Sequence, residues 1–524
     1  MTTVLATMLG GCAMFASAPD LDQRQSKVEV PDAWRQISSG TTGSDTDDLA
    51  QWWRRFGDER LNALIERGLA AAPDIRSAQA RLRQARASRE LTTASWFPSM
   101  SFSADGTRTS YNDREKKAAQ KAANSRDLYN ANFDASWEPD IFGVTRHAVS
   151  GADADVKAEA ARVEHAKVTL AAEIALNYVQ YRASQDRLAV ACRNALSQEE
   201  TLNLTRSRAA AGKTSQLAVE QARTSLEQTL ATIPDLRGAQ TASLNRLDIL
   251  LGQPPGTLAG NDWKKISAAP GTLGPDSLPG TDLGRFFKPD NPAPCGVFDA
   301  YPQAYELWSG TVLAAPSPRP RVPEVIAVGI PSESLRRRPD VQAAEASLLA
   351  ETARVHERVA ERYPSLRLGG SFGWQDVVFS GLGTSSSIVR SLAASLSATL
   401  FDGGRIRSQI DIQDAVQEQA LLNYEQAVLT ALEDVENALS AYATGQQGVA
   451  HHEKAVQAAR NAAQLARQMY QVGLTGFQEV LDTQRTLLSA EDDLATAHSD
   501  VLVSVVQLYK ALGGGWEVSE SESK

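Results

Sequence analysis

The 524-residue chain contains no run of about 18 apolar residues, so none of its helices can cross a bilayer. That absence leaves a β-barrel open, because barrel strands are short and only half apolar. Cysteine occurs three times, at Cys12, Cys192 and Cys295, with no CxxC pair, so neither a zinc site nor a disulfide framework can be read. A Cys192–Cys295 bridge is conceivable but has no support in the spacing. Lysine and arginine number 53 against 63 acidic residues, a net charge of −10, which argues against a phosphate backbone and leaves nucleic acid outside the expected partners. The six histidines, His147, His165, His356, His451, His452 and His498, include no His-x-x-x-His pair. His451 and His452 are adjacent and would point to different sides of a helix. Methionine, at five residues, gives no support for soft copper handling. The chain also lacks a Gly-x-Ser-x-Gly elbow, a phosphate loop and a dinucleotide fingerprint. The expectation is a protein that is not an enzyme, with no catalytic set, no cofactor and no metal.

What is present is an ordinary globular balance, 42% hydrophobic and 22% charged, in a chain long enough for two or more structural units. At the amino terminus, Val4, Leu5, Ala6, Met8 and Leu9 lead into Leu9-Gly10-Gly11-Cys12, the arrangement of a bacterial lipoprotein signal. The expectation is a signal over residues 1–11, acylation of Cys12 and a lipid-tethered linker over 12–48. Ala13, which is not Asp, permits sorting to an outer membrane. The plainer alternative is a stray cysteine in an apolar leader, favoured by the lack of Lys or Arg before the apolar stretch.

The chain is written twice. Ala72-Pro73-Asp74-Ile75 recurs as Arg338-Pro339-Asp340-Val341, and Phe97-Pro98-Ser99 as Tyr363-Pro364-Ser365. Asp140-Ile141-Phe142-Gly143 answers Leu400-Phe401-Asp402-Gly403, and Ala211-Gly212-Lys213-Thr214 answers Val472-Gly473-Leu474-Thr475. Leu250-Leu251-Gly252 matches Ala511-Leu512-Gly513. A near-constant offset through five pairs marks a tandem repeat. Each half follows one plan: helix, strand pair, very long helix, turn, long helix. The halves run over 49–259 and 324–516, separated by a segment over 260–323 and followed by a disordered tail over 517–524.

Period-two alternation places strands near 99–109, 128–138, 366–376 and 390–400. Ala131, Phe133, Ala135 and Trp137 alternate with polar neighbours, as do Leu392, Ala394, Leu396, Ala398 and Leu400. Each strand has the length that crosses a bilayer when tilted. A small soluble sheet is the blander reading, and it leaves the long polar loops between the paired strands unexplained. Four strands cannot close a barrel, and an open edge in lipid would leave its amides without partners. The chain must therefore associate. Two copies would bring eight strands and three would bring twelve, and only the larger barrel leaves room for solute. From Gly143 to Ala211 an Ala-rich pattern predicts one helix near 100 Å long at about 1.5 Å per residue. Its stripe is Val156, Ala160, Val163, Leu170, Ile174, Tyr178 and Tyr181. Tyr424, Val428, Leu432, Val435, Leu439 and Tyr442 repeat it. Helices of that length must pack side by side, either as a coiled-coil spacer or, alongside barrel strands, as a coaxial tunnel.

Five stretches carry a resemblance. They are Trp52-Trp53 with Phe56-Gly57-Asp58, the run from Pro331 through Arg336-Arg337-Arg338-Pro339-Asp340 to Val341, Gly212 to Leu217, Gly473 to Arg485, and Leu508 to Trp516. With them the chain resembles the outer membrane factor (TolC-like) family, in its NodT-type lipoprotein branch serving RND efflux pumps. The resemblance implies a mainly α fold with transmembrane β: a homotrimer whose twelve-stranded barrel is continued by a periplasmic α-helical barrel. The implied function is a passive exit duct in the outer membrane for small molecules delivered by an inner-membrane RND transporter through a periplasmic adaptor. Gly212, Thr214, Gly473 and Thr475 would form the adaptor-contact tip. Asp482 would face the pore as a periplasmic gate, with Tyr470 and Arg485 tying neighbouring helices. A surface i, i+3 pair of Asp482 with Arg485 is the simpler alternative. The segment over 260–323, with Phe286, Phe287, Cys295 and Trp308, is longer than the family's usual linker and reads as an insertion in the equatorial belt. A type I secretion or metal-efflux duct, and a lipid-tethered coiled-coil scaffold without a pore, remain the competing functions.

Overall fold

A computed structural model describes residues 28–35, 41–42, 49–110, 125–259, 320–323, 326–327 and 331–516. Cys12, Cys295, the tail over 517–524 and nearly all of the 260–323 insertion lie outside the described residues. The helices are α1 (Glu59–Ala71), α2 (Pro73–Thr93), α3 (Val144–Ala210), α4 (Gln216–Leu250), α5 (Pro331–Arg337), α6 (Pro339–Ala360), α7 (Arg405–Val472) and α8 (Phe477–Ala511). The strands of the main sheet are β1 (Ser99–Ser110), β2 (Ser125–Trp137), β3 (Ser365–Asp376) and β4 (Ile388–Ser397). A two-residue parallel pairing joins Thr41–Thr42 to Ile326–Ala327.

The repeat is visible in how the long helices start. Asp140 accepts from the Gly143 and Arg146 amides at 2.8 and 2.9 Å, capping α3. Asp402 does the same for α7, accepting from Gly404 at 2.9 Å and Ile406 at 2.8 Å. A carboxylate at a helix start satisfies amides that have no partner inside the helix. The 67 residues of α3 and 68 of α7 continue without a break. α4 runs through Pro234, which removes one backbone bond from its interior.

The chain divides into two compact units, each drawing on both repeats. One contains residues 80–161 and 342–427, and therefore the later part of α2, the first part of α3, nearly all of α6, the first part of α7 and the whole main sheet. Its helical seam is built from small residues: Ala154, Ala158 and Ala161 on α3, and Ala346, Ala350 and Ala353 on α6, are buried. Val156 and Ala160, expected in the stripe, are only half-buried, and the seam has drifted onto the alanines. A helix of 3.6 residues per turn drifts against a 3.5 stripe, and small side chains let backbones approach. Arg354 bonds Asp155 across this seam and Glu351 one turn back on its own helix.

The second unit holds Glu29–Gln79, Arg162–Val341 and Val428–Lys524. Its core is aromatic: Trp52 stacks on Tyr509 at 5.2 Å and meets Phe56 edge-on at 5.8 Å. Around them are Leu61, Leu64, Ile65, Ile174, Leu247 and Val505, all fully buried. Each such side chain contributes about 1.5–3 kcal/mol by leaving water. Here the expected stripe holds, since Leu170, Ile174, Tyr178 and Tyr181 on α3 and Val435, Leu439 and Tyr442 on α7 are buried in the same core. Asp58 caps α1 through the Arg60 and Leu61 amides and accepts from the Tyr178 hydroxyl at 2.6 Å. Burial, with the Asp58 carboxylate beside it, pushes the Tyr178 hydroxyl far above its ordinary pKa, so it stays a donor.

Candidate functional site

Two places in the molecule have geometry beyond what stability requires. The first is the sheet. Its order is β1-β2-β3-β4, antiparallel throughout, and among the described residues neither β1 nor β4 has a partner on its outer edge. The central pairing joins the two repeats, with Phe133 opposite Phe372 and Trp137 opposite Leu368. Because successive side chains alternate, the register sorts the whole sheet into two faces. One face carries Met100, Phe102, Phe133, Trp137, Phe372, Leu392 and Leu396. The other carries Ser101, Ser103, Asp105, Asn130, Asn132, Asp134, Ser371, Ser391 and Ser395.

Both faces are solvent-accessible in the single chain. Every residue of β1 is exposed, and Leu392 on β4 is 91% exposed. A soluble sheet buries one face; this one buries neither. The apolar face is bounded at its helix-side end by Trp96, Phe97 and Trp137, with the Trp137 indole donating to the Trp96 carbonyl at 3.0 Å. At the loop-side end, Tyr129 meets Phe379 edge-on at 5.6 Å. An apolar band between two aromatic girdles is the signature of a barrel wall in lipid. The polar face is tied together by bonds suited to water: Asn130 to Asp105 at 3.0 Å, Ser103 to Asp134 at 3.3 Å, and Ser371 with Ser391 at 2.7 Å.

The strands begin and end close to their sequence expectation. The fourth is the exception, since β4 ends at Ser397, so Ala398 and Leu400 fall beyond it.

The second place is where the two helical hairpins turn. Gly212 ends α3 with φ 66° and Gly473 ends α7 with φ 85°, a left-handed conformation that side chains disfavour. Lys213 N–H donates to the Arg208 carbonyl at 2.9 Å, and Leu474 N–H to that of Met469 at 2.8 Å. Both turns are therefore Schellman caps. Thr214 and Thr475 are half-buried in equivalent places. Beneath the turns, Leu202, Val219, Ala466, Tyr470, Phe477, Val480 and Leu481 form a separate core.

The residues expected at a gate are distributed unevenly. Tyr470 is buried in the tip core, its ring 5.9 Å from Phe477 and its hydroxyl 3.5 Å from the Thr205 hydroxyl. It ties α7 to α3 and α8 within one chain. Asp482 is exposed on α8 and accepts from Gln478 at 3.1 Å, one turn before it. Arg485 is also exposed, and the structure records no bond between it and Asp482. The surface i, i+3 pair is thus not formed.

Arg208 is the tip residue that sequence reading did not single out. Its guanidinium lies 4.5 Å from the centre of the Tyr470 ring and donates to the Tyr470 carbonyl at 2.7 Å and the Gln471 carbonyl at 3.2 Å. It therefore caps the C-terminus of α7 from α3, where positive charge is favoured. Deeper in the hairpins, Gln484 donates to Thr201 at 2.8 Å, and Arg187 forks onto Asp492 at 2.7 and 2.9 Å.

Arg338, first noted only as part of a repeated motif, is 7% exposed and lies at the centre of a polar knot. It bonds Asp340 through both carboxylate oxygens at 3.0 and 2.7 Å, Asp434 at 3.0 Å and the Ala511 carbonyl at 3.1 Å. Burial works against the Asp340 charge, but the bonds and charge of Arg338 outweigh it and hold that carboxyl below the usual range. Cys192 is buried on α3 among Leu188, Ala191, Ala195 and Ile233. His147 and His356, far apart in sequence, stack at 5.3 Å. Among the described residues no three His, Cys, Asp or Glu side chains converge as metal ligands, and no helix is long and apolar enough to cross a membrane.

Comparison with known proteins agrees with this geometry. The chain is 29% identical over 444 residues to the pyoverdine export outer membrane protein OpmQ of Pseudomonas aeruginosa, covering 83% of this chain and 79% of that protein. It is 26% identical over 441 residues to nodulation protein T of Rhizobium leguminosarum bv. trifolii, covering 84% and 81%. The solved structure of the outer-membrane channel OprN superposes with a TM-score of 0.77 at 30% identity, covering 93% of this chain and 98% of that one. Residues 64–253 and 330–514 match the outer membrane efflux protein family, one match in each repeat, and the chain belongs to that family.

Proposed function

We infer that the protein is the outer-membrane exit duct of a tripartite efflux system. One observation carries this reading: a four-stranded sheet, apolar on one face and polar on the other, covered on neither and open at both edges. In lipid such edges must be paired, so copies join β4 of one to β1 of the next. Three copies give a twelve-stranded barrel with its polar face on the lumen. The α3–α4 and α7–α8 hairpins then continue the wall as a helical tube in the periplasm. A passive conduit of this kind needs no catalytic group.

Within that reading the tip at Gly212, Thr214, Gly473 and Thr475 meets a periplasmic adaptor, which connects the duct to an inner-membrane RND transporter. Asp482 and Arg485, exposed and unpaired with each other, are available to neighbouring copies at the narrow end, and Tyr470 with Arg208 stiffens the hairpins that carry them. A ring of carboxylates there would favour cations over anions. Acylation of Cys12 would add a lipid tether to the barrel's own hold on the membrane. Relatives are named for pyoverdine export and for toluene efflux, so the family serves chemically unlike cargoes, and the generic polar lining of this sheet gives no reason to prefer one.

The test is reconstitution. The mature protein should migrate as a heat-resistant trimer from outer-membrane extracts and conduct ions in planar bilayers. A stable, water-soluble monomer without conductance would overturn the reading and leave the tethered scaffold as the alternative.

A further inference from the structure

Arg390 stands on the wrong face of the sheet. By register it lies opposite Phe372, in a row that continues through Phe133 to Phe102 on the apolar side. Its guanidinium sits over the Phe372 ring, 5.6 Å from the centre. Two of the other strand arginines have acidic neighbours: Arg108 is 3.5 Å from Asp127, and Arg367 is 3.6 Å from Glu138. Arg390 is exposed, and among the described residues no carboxylate lies within bonding reach. The acid nearest in register on that face, Asp376, is turned to the Val378 amide at 3.0 Å.

Among the described residues, the strand of a neighbouring copy supplies no charge to match it. In a closed barrel β4 lies beside β1 of the next copy, whose residues on this face are Met100, Phe102, Ala104, Gly106, Arg108 and Ser110. None is acidic, and Arg108 is already paired. An arginine facing lipid is costly toward the middle of a bilayer and nearly neutral at its surface. Arg390 is the third residue of β4, just past the loop over 377–387, at the end of the wall away from the helices. Its long side chain can therefore reach the headgroup layer while its stem stays among the phenylalanines.

We propose that Arg390 is a binding site for the phosphate of a membrane lipid in the leaflet bordering the loop ends, with Phe372 and the adjacent aromatic row seating the first part of the acyl chain. Guanidinium and phosphate match as a two-pronged pair, and a desolvated surface strengthens the contact. This rests on the duct reading, because it needs the apolar face to be in lipid.

The experiment uses the full-length protein purified in detergent, as wild type, Arg390→Gln and Arg390→Lys. Each is titrated with phosphatidylglycerol, a phosphorylated glycolipid of the lipid A type, the dephosphorylated glycolipid and inorganic phosphate, and bound lipid is counted by native mass spectrometry. Wild type should retain phosphorylated lipid roughly tenfold more tightly than Arg390→Gln, the loss of one charge-assisted contact. Arg390→Lys should lie between them, and the dephosphorylated glycolipid should erase the difference. The preferred phospholipid or glycolipid identifies the source of the phosphate. Equal retention by wild type and Arg390→Gln, or binding of inorganic phosphate with no lipid preference, overturns the proposal. If Arg390→Gln does not assemble, wild type that fails to discriminate the phosphorylated from the dephosphorylated glycolipid overturns it instead. Conductance of the same preparation tests the duct separately: conductance without lipid preference sinks only the Arg390 site.

Discussion

Arg208 concentrates three contacts on one side chain, a ring and two carbonyls, all on the neighbouring hairpin. Arg208→Ala should therefore loosen the tip more than its exposure suggests. The expected outcome is faster amide exchange over residues 466–481 with the aromatic core unchanged, a local loss of about 1–3 kcal/mol. Asp482→Ala should raise single-channel conductance, and unchanged conductance would count against the gate. Arg338→Met leaves Asp340 and Asp434 without their cation and should cost about 3 kcal/mol in thermal unfolding. Asp340 also sets a pH dependence. Its folded-state pKa is depressed, so its contribution is complete above the unfolded value near 3.9 and is lost as pH falls through the folded value. Melting temperatures from pH 6 down to 3 should fall in wild type and fall less steeply in Arg338→Met. At this scale the sequence shows the glycines because they lie in a turn motif written twice, and Tyr470 only through the family resemblance. It conceals the partners of Arg208, and those of Arg338 other than Asp340, because they are remote in the chain and become neighbours only when the long helices have packed.

Among elements, the two hairpin turns are near copies, each closed by a glycine at positive φ. Gly212→Ala and Gly473→Ala should each destabilise by about 1 kcal/mol through backbone strain alone, since no atom crowds a Cβ at Gly212 and only the Arg208 guanidinium, at 3.8 Å, lies near one at Gly473. Differential exchange at the two turns would check this. A much larger effect at Gly473 would implicate Arg208 as well. The strands were legible from alternation, which reports which face a residue occupies. Their order was not, because alternation says nothing of which hairpin lies beside which. The β2–β3 pairing that joins the repeats emerged only from the fold. The helical stripe was read correctly where bulky residues line an aromatic core, and misplaced where alanines line the seam, since alanine carries little hydrophobic contrast.

For the whole molecule, the family places the chain in the outer membrane and the two-faced sheet supplies the physical reason for association. The lipid-facing wall can be tested without a channel assay. Phe102→Asp or Leu392→Asp, each on the apolar face, should abolish detergent-stable assembly, whereas Ser101→Asp on the opposite face should be tolerated. Equal tolerance of all three would overturn the assignment of the apolar face to lipid.

The seam between the repeats also governs how such a wall can come into being. Tyr129 finds its partner Asp376 only after the first strand of the second repeat's outer hairpin has been made, so the first hairpin spends its early life beside no neighbour at all. Pairings so distant along a chain form slowly, and during that interval bare amide rows can recruit any passing strand. A newly exported copy therefore needs an escort, or prompt capture by its siblings, and its yield should depend on concentration more steeply than that of a barrel made from one chain.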